Sequence, residues 1–243
     1  MKPAGAPPAR GRPGPARIAL FDIDGTLLLA GGAGRRALDR LFERRYGVVG
    51  AAAGIRPHGM TDPAILRQML CGALGRSPAA GELEALALEY VELLGAEIAD
   101  APGFRLMPGL PDLLERLAAH ANLHLGLATG NLARAAQLKL SRGGIDRYFA
   151  FGGFGSDAED RSELTRIACA RGRARARDGS APAYVIGDTV HDVRAARAAG
   201  AECLAVLTTG ASPEALRQEG ARRVLEDLRD TAAVLDFLGV DGS

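Results

Sequence analysis

The sequence predicts an α/β fold, a parallel sheet with helices on both faces, whose alternation a helical segment interrupts once. Three observations predict it. Four short apolar runs have the length of buried strands, the stretches between the later ones carry apolar residues at three- and four-residue spacing, and residues 33 to about 105 read as successive helices with almost no strand signal.

The first run, RIALFD (17–22), follows a basic opening rich in Pro and Gly that lacks the apolar stretch of a signal peptide; residues 1–16 are expected to form a disordered tail. Gly31-Gly32 and the MPG at 107–109 bracket an inserted helical domain, residues 31–105, built from GRRALDRLFERRYG, DPAILRQMLCGALG and AAGELEALALEYVELLGAEIA. Residues 17–30 and 106–243 are the core domain. Its helices are read at LPDLLERLAAH (110–120), LARAAQLKLSRGG (132–144) and SELTRIACARGRARA (162–176). Its further strands are LHLGLAT (123–129), AYVIGD (183–188) and CLAVLTT (203–209). In open parallel sheets ligands bind outside the carboxyl ends of the strands. Asp22, Thr129 and Asp188 each close a strand, so one edge can gather all three.

Composition narrows the partners. A formal net charge of +1 over 243 residues gives no bulk attraction to nucleic acid or an anionic membrane, and the basic run RGRARARDGS (171–180) has no accompanying aromatics. No apolar run approaches the roughly 20 residues that span a bilayer. Cys71, Cys169 and Cys203 are too few and too scattered for a disulfide framework or a zinc site, which fits reduced structural thiols in a cytoplasmic protein. A monomer or a homodimer is expected.

The chemistry lies in the punctuation of the strands. DIDGT puts Asp22 and Asp24 after the first run; LATGN puts the Thr129 hydroxyl and the amides around Gly130 and Asn131 after the second; VIGDTVHDV adds Asp188, with Asp192 four residues on. Carboxylates gathered at one edge repel one another unless a cation lies between them, and hard oxygen ligands select Mg²⁺. A carboxylate also attacks a phosphoryl group when the phosphoryl oxygens are neutralised, and a second acid two residues on can protonate the leaving oxygen and then activate water. A cation is needed for the substrate's own charge: Arg161, in EDRSEL, or Lys139.

These four motifs, in this order from about residue 17 to 240, resemble the phosphatase branch of the haloacid dehalogenase superfamily. The resemblance implies a Rossmann-like core with a small helical cap. It implies Asp22 as nucleophile and metal ligand, Asp24 as general acid/base whose main-chain carbonyl also binds Mg²⁺, and Asp188 as the further metal carboxylate. Thr129, Gly130 and Asn131 become phosphate ligands, with Asp192 and Thr26 supporting from behind. The third motif departs from the pattern. Relatives carry Lys-Pro there; spacing puts Arg161, followed by Ser162, in that place, with Lys139 the alternative cation unless it is a helix-surface lysine.

Other readings compete. GGAGRRA at 31–37 contains a G-x-G-x-x-A, but DIDGT intervenes after the strand and no acid lies between Glu43 and Asp62 to hold a ribose. A dehalogenase would have no use for Asp24, and a Schiff-base phosphonate hydrolase needs a cap lysine, whereas the only lysines are Lys2 and Lys139. A β-phosphoglucomutase-like phosphomutase uses the same core residues, and a non-catalytic metal-binding module would need the same acids. The cap segment RPHGMTDPAI (56–65) offers His58, Gly59, Thr61 and Asp62 as substrate contacts, although Thr61-Asp62-Pro63 also reads as a helix cap. The expectation is a Mg²⁺-dependent hydrolase of a small phosphorylated metabolite, with 2-phosphoglycolate a candidate.

Overall fold

The computed structural model describes residues 14–240, so the expected tail falls outside the described residues except for 14–16. In chain order the strands are β1 (Arg17–Phe21), β2 (Leu28–Ala30), β3 (Phe104–Leu106), β4 (Leu123–Thr129), β5 (Gly152–Phe154), β6 (Ala183–Gly187), β7 (Glu202–Val206) and β8 (Arg223–Leu225). The helices are α1 (Ala33–Tyr46), α2 (Asp62–Leu74), α3 (Glu82–Ala99), α4 (Asp112–Ala118), α5 (Ala133–Arg142), α6 (Arg161–Ala176), α7 (Val190–Ala198), α8 (Pro213–Glu219) and α9 (Thr231–Leu238). None of the described helices is long and apolar enough to cross a membrane.

Six strands form one parallel sheet in the order β5-β4-β1-β6-β7-β8. Its faces follow from the two-residue period of β1. Ala19 and Phe21 point into a core with Leu113, Leu140 and Leu235, from α4, α5 and α9; Ile18 and Leu20 point into another with Leu164, Val193 and Leu216, from α6, α7 and α8. Helices therefore cover both faces, and β1 is buried from Ile18 to Phe21. The chain builds outward from β1 through β4 to β5, then returns to β1's other side for β6, β7 and β8. That reversal places the carboxyl ends of β4, β1 and β6 side by side, with Phe21 in register with both Leu127 and Ile186.

Helices α1, α2 and α3 bury a core of their own, including Phe42, Leu66, Met69, Leu70, Tyr90 and Leu94, which Leu132 and Ala135 join from the α5 region. Helix α5 thus serves two cores, since Ala136 and Leu140 on its other flank pack under the sheet. The chain passes into and out of this helical layer through the antiparallel pair β2–β3, Leu28 opposite Leu106 and Ala30 opposite Phe104. Gly31 and Gly32, at φ 59° and 77°, make the left-handed turn into α1 that a side chain would resist.

The expected boundaries shift at several points. Asp22 and Asp188 lie one residue beyond their strands, and the run expected as strand to Thr209 leaves the sheet after Val206, freeing Leu207 to Thr209 as a loop over the edge. β2, β3, β5 and β8, three residues each, carry no readable period, and β3 begins inside the segment expected to be wholly helical. Of the three cysteines Cys71 is exposed while Cys169 and Cys203 are buried.

Candidate active site

Two strand ends and one turn bring the acids together. The Asp22 amide donates to Ile186 O at 2.9 Å, tying the end of β1 to β6, and the carboxylate lies almost fully buried. The chain then folds back, with the amides of Thr26, Leu27 and Leu28 all donating to Ile23 O. Gly25 permits this turn: its φ is 88°, and a Cβ there would stand 2.6 Å from Asp188 Oδ2. Asp188, fully buried, accepts from the Thr26 hydroxyl at 3.1 Å on one oxygen and from the Thr209 hydroxyl at 2.5 Å on the other. Among the described residues no cation pairs with it.

Asp192 occupies the first turn of α7, in a capping box with Thr189. Its Oδ2 accepts from the Thr189 amide and hydroxyl at 3.0 and 2.7 Å, while its Oδ1 pairs with Arg161 Nη2. Arg161 opens α6 behind the Asp160 cap, and the same Nη2 reaches Asp22 Oδ1 at 3.1 Å. The guanidinium, about 10% exposed, therefore bridges the two acids.

A second cation serves the other acid. Lys139 Nζ donates to Asp24 Oδ2 at 2.6 Å and to Asn131 Oδ1 at 2.5 Å, and Asn131 Nδ2 donates to the same Asp24 oxygen and to Thr129 Oγ1, both at 2.8 Å. The reading of Lys139 as a surface residue is overturned. Only 4% exposed, it shares the buried face of α5 with Ala135 and Ala136, four and three residues earlier. Nor are Lys139 and Arg161 alternatives, because each faces a different carboxylate.

The segment before α2 closes over this corner. Asp62 N donates to Gly130 O at 2.7 Å, and Leu132 N donates to Asp62 Oδ2 at 2.8 Å. A Cβ on Gly130 would collide with the Met60 carbonyl. Thr61 is turned from the site: it caps α2, accepting from Ala64 N, and its hydroxyl donates to Glu159 O at 3.0 Å. His58, Gly59 and Asp62 line the cavity beyond, together with Asp22, Asp24, Gly130, Asn131, Lys139, Arg161 and Thr209. Thr129 lies beneath that surface, fully buried, and Thr26 stands behind Asp188. Of the residues with no place in the sequence reading, Thr209 ends the fourth apolar run as Asp22, Thr129 and Asp188 end the others, which is a usable signal; Tyr90 carried none.

The proton affinities follow from this wiring. Burial raises Asp22 to about 6, Arg161 opposing and Asp192 and Asp24 adding to the rise. Burial together with Asp192 and Asp22 raises Asp188 to about 8. Asp24 moves the other way: burial would raise it, but the charge and hydrogen bond of Lys139, with Asn131, outweigh burial and hold it below the usual carboxylate range. Asp62 rises to about 6 through burial, against the pull of Lys139.

Among the described residues, Asp22, Asp24, Asp62, Asp188 and Asp192 thus meet two cations, Arg161 and Lys139. Carboxylate oxygens of Asp22, Asp188 and Asp192 lie within 4.8 Å of one another. Asp192 is the least suited of the three to a metal, both its oxygens being engaged by Arg161 and Thr189. Asp22 and Asp188 present buried hard donors, and the single guanidinium beside them is shared with Asp192, a set that fits a divalent cation such as Mg²⁺.

A doubly covered parallel sheet with this acidic edge at its switch point defines a Rossmann-like core with a candidate active site. The chain belongs to the haloacid dehalogenase-like hydrolase family, which residues 16–200 match. No curated protein matches the sequence. Among solved structures it is similar to a hydrolase from Pseudomonas syringae, at 23% identity and a TM-score of 0.66 over 92% of this chain and 99% of that one. CbbY from Rhodobacter sphaeroides, solved in complex with phosphate, shares 21% identity at a TM-score of 0.67, covering 91% of this chain and 99% of its own. A Bacteroides vulgatus protein provisionally named β-phosphoglucomutase shares 19% identity at 0.65, covering 93% and 89%. At such identities these structures share the fold.

Proposed function

We propose that the protein is a Mg²⁺-dependent phosphomonoester hydrolase acting through a phosphoryl group carried on Asp22. The observation that carries this reading is the placement of two acids of one motif on different cations at the mouth of one cavity: Asp22 on Arg161 and Asp24 on Lys139. Asp22 Oδ attacks phosphorus, and the bond from phosphorus to the ester oxygen breaks. The small protonated fraction of Asp24 gives that oxygen its proton, and the ionised carboxylate then takes one from the water that releases phosphate. Arg161 holds the Asp22 carboxylate in place and offsets charge on the phosphoryl oxygens, and the Asn131 amide marks the phosphate side. Asp22 and Asp188, with the Asp24 main-chain carbonyl, would hold Mg²⁺, which when bound neutralises the phosphoryl oxygens and the acids around it. Residues 31–105 act as the cap over the core of 17–30 and 106–243.

The test is chemical trapping. Acid quench during turnover of a panel of phosphorylated metabolites, 2-phosphoglycolate among them, should leave a phosphoryl adduct on the peptide containing Asp22. An adduct elsewhere, or turnover without any adduct, sinks the assignment.

One observation favours a phosphomutase as second reading. Arg35 and Arg56 line the cavity with no acidic partner among the described residues, and a bisphosphate intermediate would need such a grip. Arg67, which also flanks the segment, is spent on Glu159 at 2.9 Å. Net release of phosphate without a bisphosphate activator decides for the hydrolase; conversion of a hexose 1-phosphate to its 6-phosphate with no free phosphate decides for the mutase.

A further inference from the structure

The cavity above the acids encloses about 470 Å³, inside the range of roughly 300–1,000 Å³ typical of sites for organic ligands. Its floor is charged, and Arg35, Arg56 and His58 make part of the wall polar; the rest, from the turn after β1 and the helical layer, is apolar: Leu29, Leu38, Ile55, Met60 and Ile65. One polar atom interrupts them. Tyr90, on α3, is 2% exposed and lines the cavity, yet its hydroxyl makes no hydrogen bond among the described residues. Buried tyrosine hydroxyls ordinarily find a partner. Burial, with Asp62 and Asp24 nearby, keeps this phenol protonated and able to donate. Facing it is Gly34, where a Cβ would stand 3.3 Å from the hydroxyl, so the absence of a side chain keeps the approach open.

We propose that the substrate's organic part is an apolar body, a ring or a chain of several carbons, carrying one hydrogen-bonding group that the Tyr90 hydroxyl reads. This rests on the phosphoryl-transfer reading of the sheet edge, which fixes the phosphate end. A two-carbon acid would leave the walls wet. A hexose seated against the five apolar side chains would set hydroxyls where nothing can bond them, each unpaired group costing about fivefold to a hundredfold in affinity.

Calorimetry with Mg²⁺ on the full chain tests it, using non-hydrolysable phosphonates of matched geometry: a hydroxyphenylethyl body, the same body without the hydroxyl, and the analogues of phosphoglycolate and of a hexose phosphate. The hydroxyphenylethyl compound should bind at least about tenfold tighter than either hydrophilic one. Tyr90→Phe, which deletes an atom without internal partners, should keep the melting temperature, abolish the advantage of the hydroxyl and leave the unsubstituted body unaffected. Equal or tighter binding of the hydrophilic phosphonates, or a hydroxyl advantage that survives Tyr90→Phe, overturns the proposal. Turnover of the matched phosphate esters reads the other claim: the expected ranking without hydrolysis of any ester sinks the hydrolase alone, and no binding by any phosphonate sinks both.

Discussion

Asp22 and Asp24 are two residues apart in one turn, yet the edge treats them in opposite ways. Asp22 sits deep, with Asp192 and Asp24 near it and only a guanidinium shared with Asp192 to oppose them, so its proton affinity rises. Asp24 opens to the cavity, with 45% of its side chain exposed, and has the Lys139 ammonium, so its affinity falls. Acids whose environments push their proton affinities apart are suited to different roles. The Asp22 flank has one guanidinium for three acids and fits a metal; the Asp24 flank already has its own cation and fits proton traffic. The comparison is breakable at each flank.

The largest effect belongs to the Asp22 flank. Asp22→Asn keeps the shape and removes the proposed nucleophile, so turnover should fall by about 10⁴-fold or more, with an unchanged circular dichroism spectrum. Activity within tenfold of wild type would show that another group attacks. Asp24→Asn should be milder, about 10²–10⁴-fold, and it should lose more with alkyl esters than with aryl esters, whose leaving oxygens need less protonation. Mass spectrometry should then find phosphorylated Asp22 accumulating during turnover. Equal losses for both ester classes would deny Asp24 the acid's role.

How much of this asymmetry was legible differs by flank. Asp22 and Asp188 announce themselves because an apolar run ends in a carboxylate, a place where burial is costly without purpose. Arg161 was placed by its spacing between neighbouring motifs. Lys139 was half hidden: α5 reads as an ordinary amphipathic helix, and a lysine beside Leu138 and Leu140 passes for surface unless it is seen to follow Ala135 and Ala136 on the buried stripe. The sheet's outer strands were illegible for a similar reason. Gly152–Phe154 and Arg223–Leu225 are too short to show a two-residue period and are held by pairing with β4 and β7 rather than by their own sequence. Tyr90 reads as core, and only the missing partner of its hydroxyl distinguishes it.

The Lys139 flank gives the next prediction. Lys139→Met preserves much of the buried volume and removes the charge that holds Asp24 low. The Asp24 affinity for protons then rises, and the limb of the pH–rate profile that requires ionised Asp24 should move to higher pH, with the loss greatest in the acid range. Arg161→Lys should instead weaken inhibition by phosphate and vanadate at every pH, because a single ammonium engaged by Asp22 and Asp192, as Nη2 is, lacks the guanidinium's further N–H donors for the anion. Identical pH profiles for the two variants would merge the flanks into a single charge cluster.

The smallest effect is on stability. Asp22 and Asp62 at about 6 and Asp188 at about 8 hold protons in the folded protein that the unfolded chain releases near pH 4. Their contribution is fully present below that value and is lost as pH rises through 6 to 8. With chelator present, the melting temperature should therefore decline across this window. On the proposed site Mg²⁺ would replace protons on Asp22 and Asp188, so it should raise the melting temperature more at the alkaline end than at the acid end. At 100 times its dissociation constant the ion adds about 2.7 kcal/mol, which for a chain of this size is several degrees. Asp188→Asn separates the flanks: it should remove most of the Mg²⁺ increment and raise the melting temperature of the chelated protein at alkaline pH, because a buried uncompensated charge disappears. A Mg²⁺ increment that survives Asp188→Asn intact would move the metal off this flank.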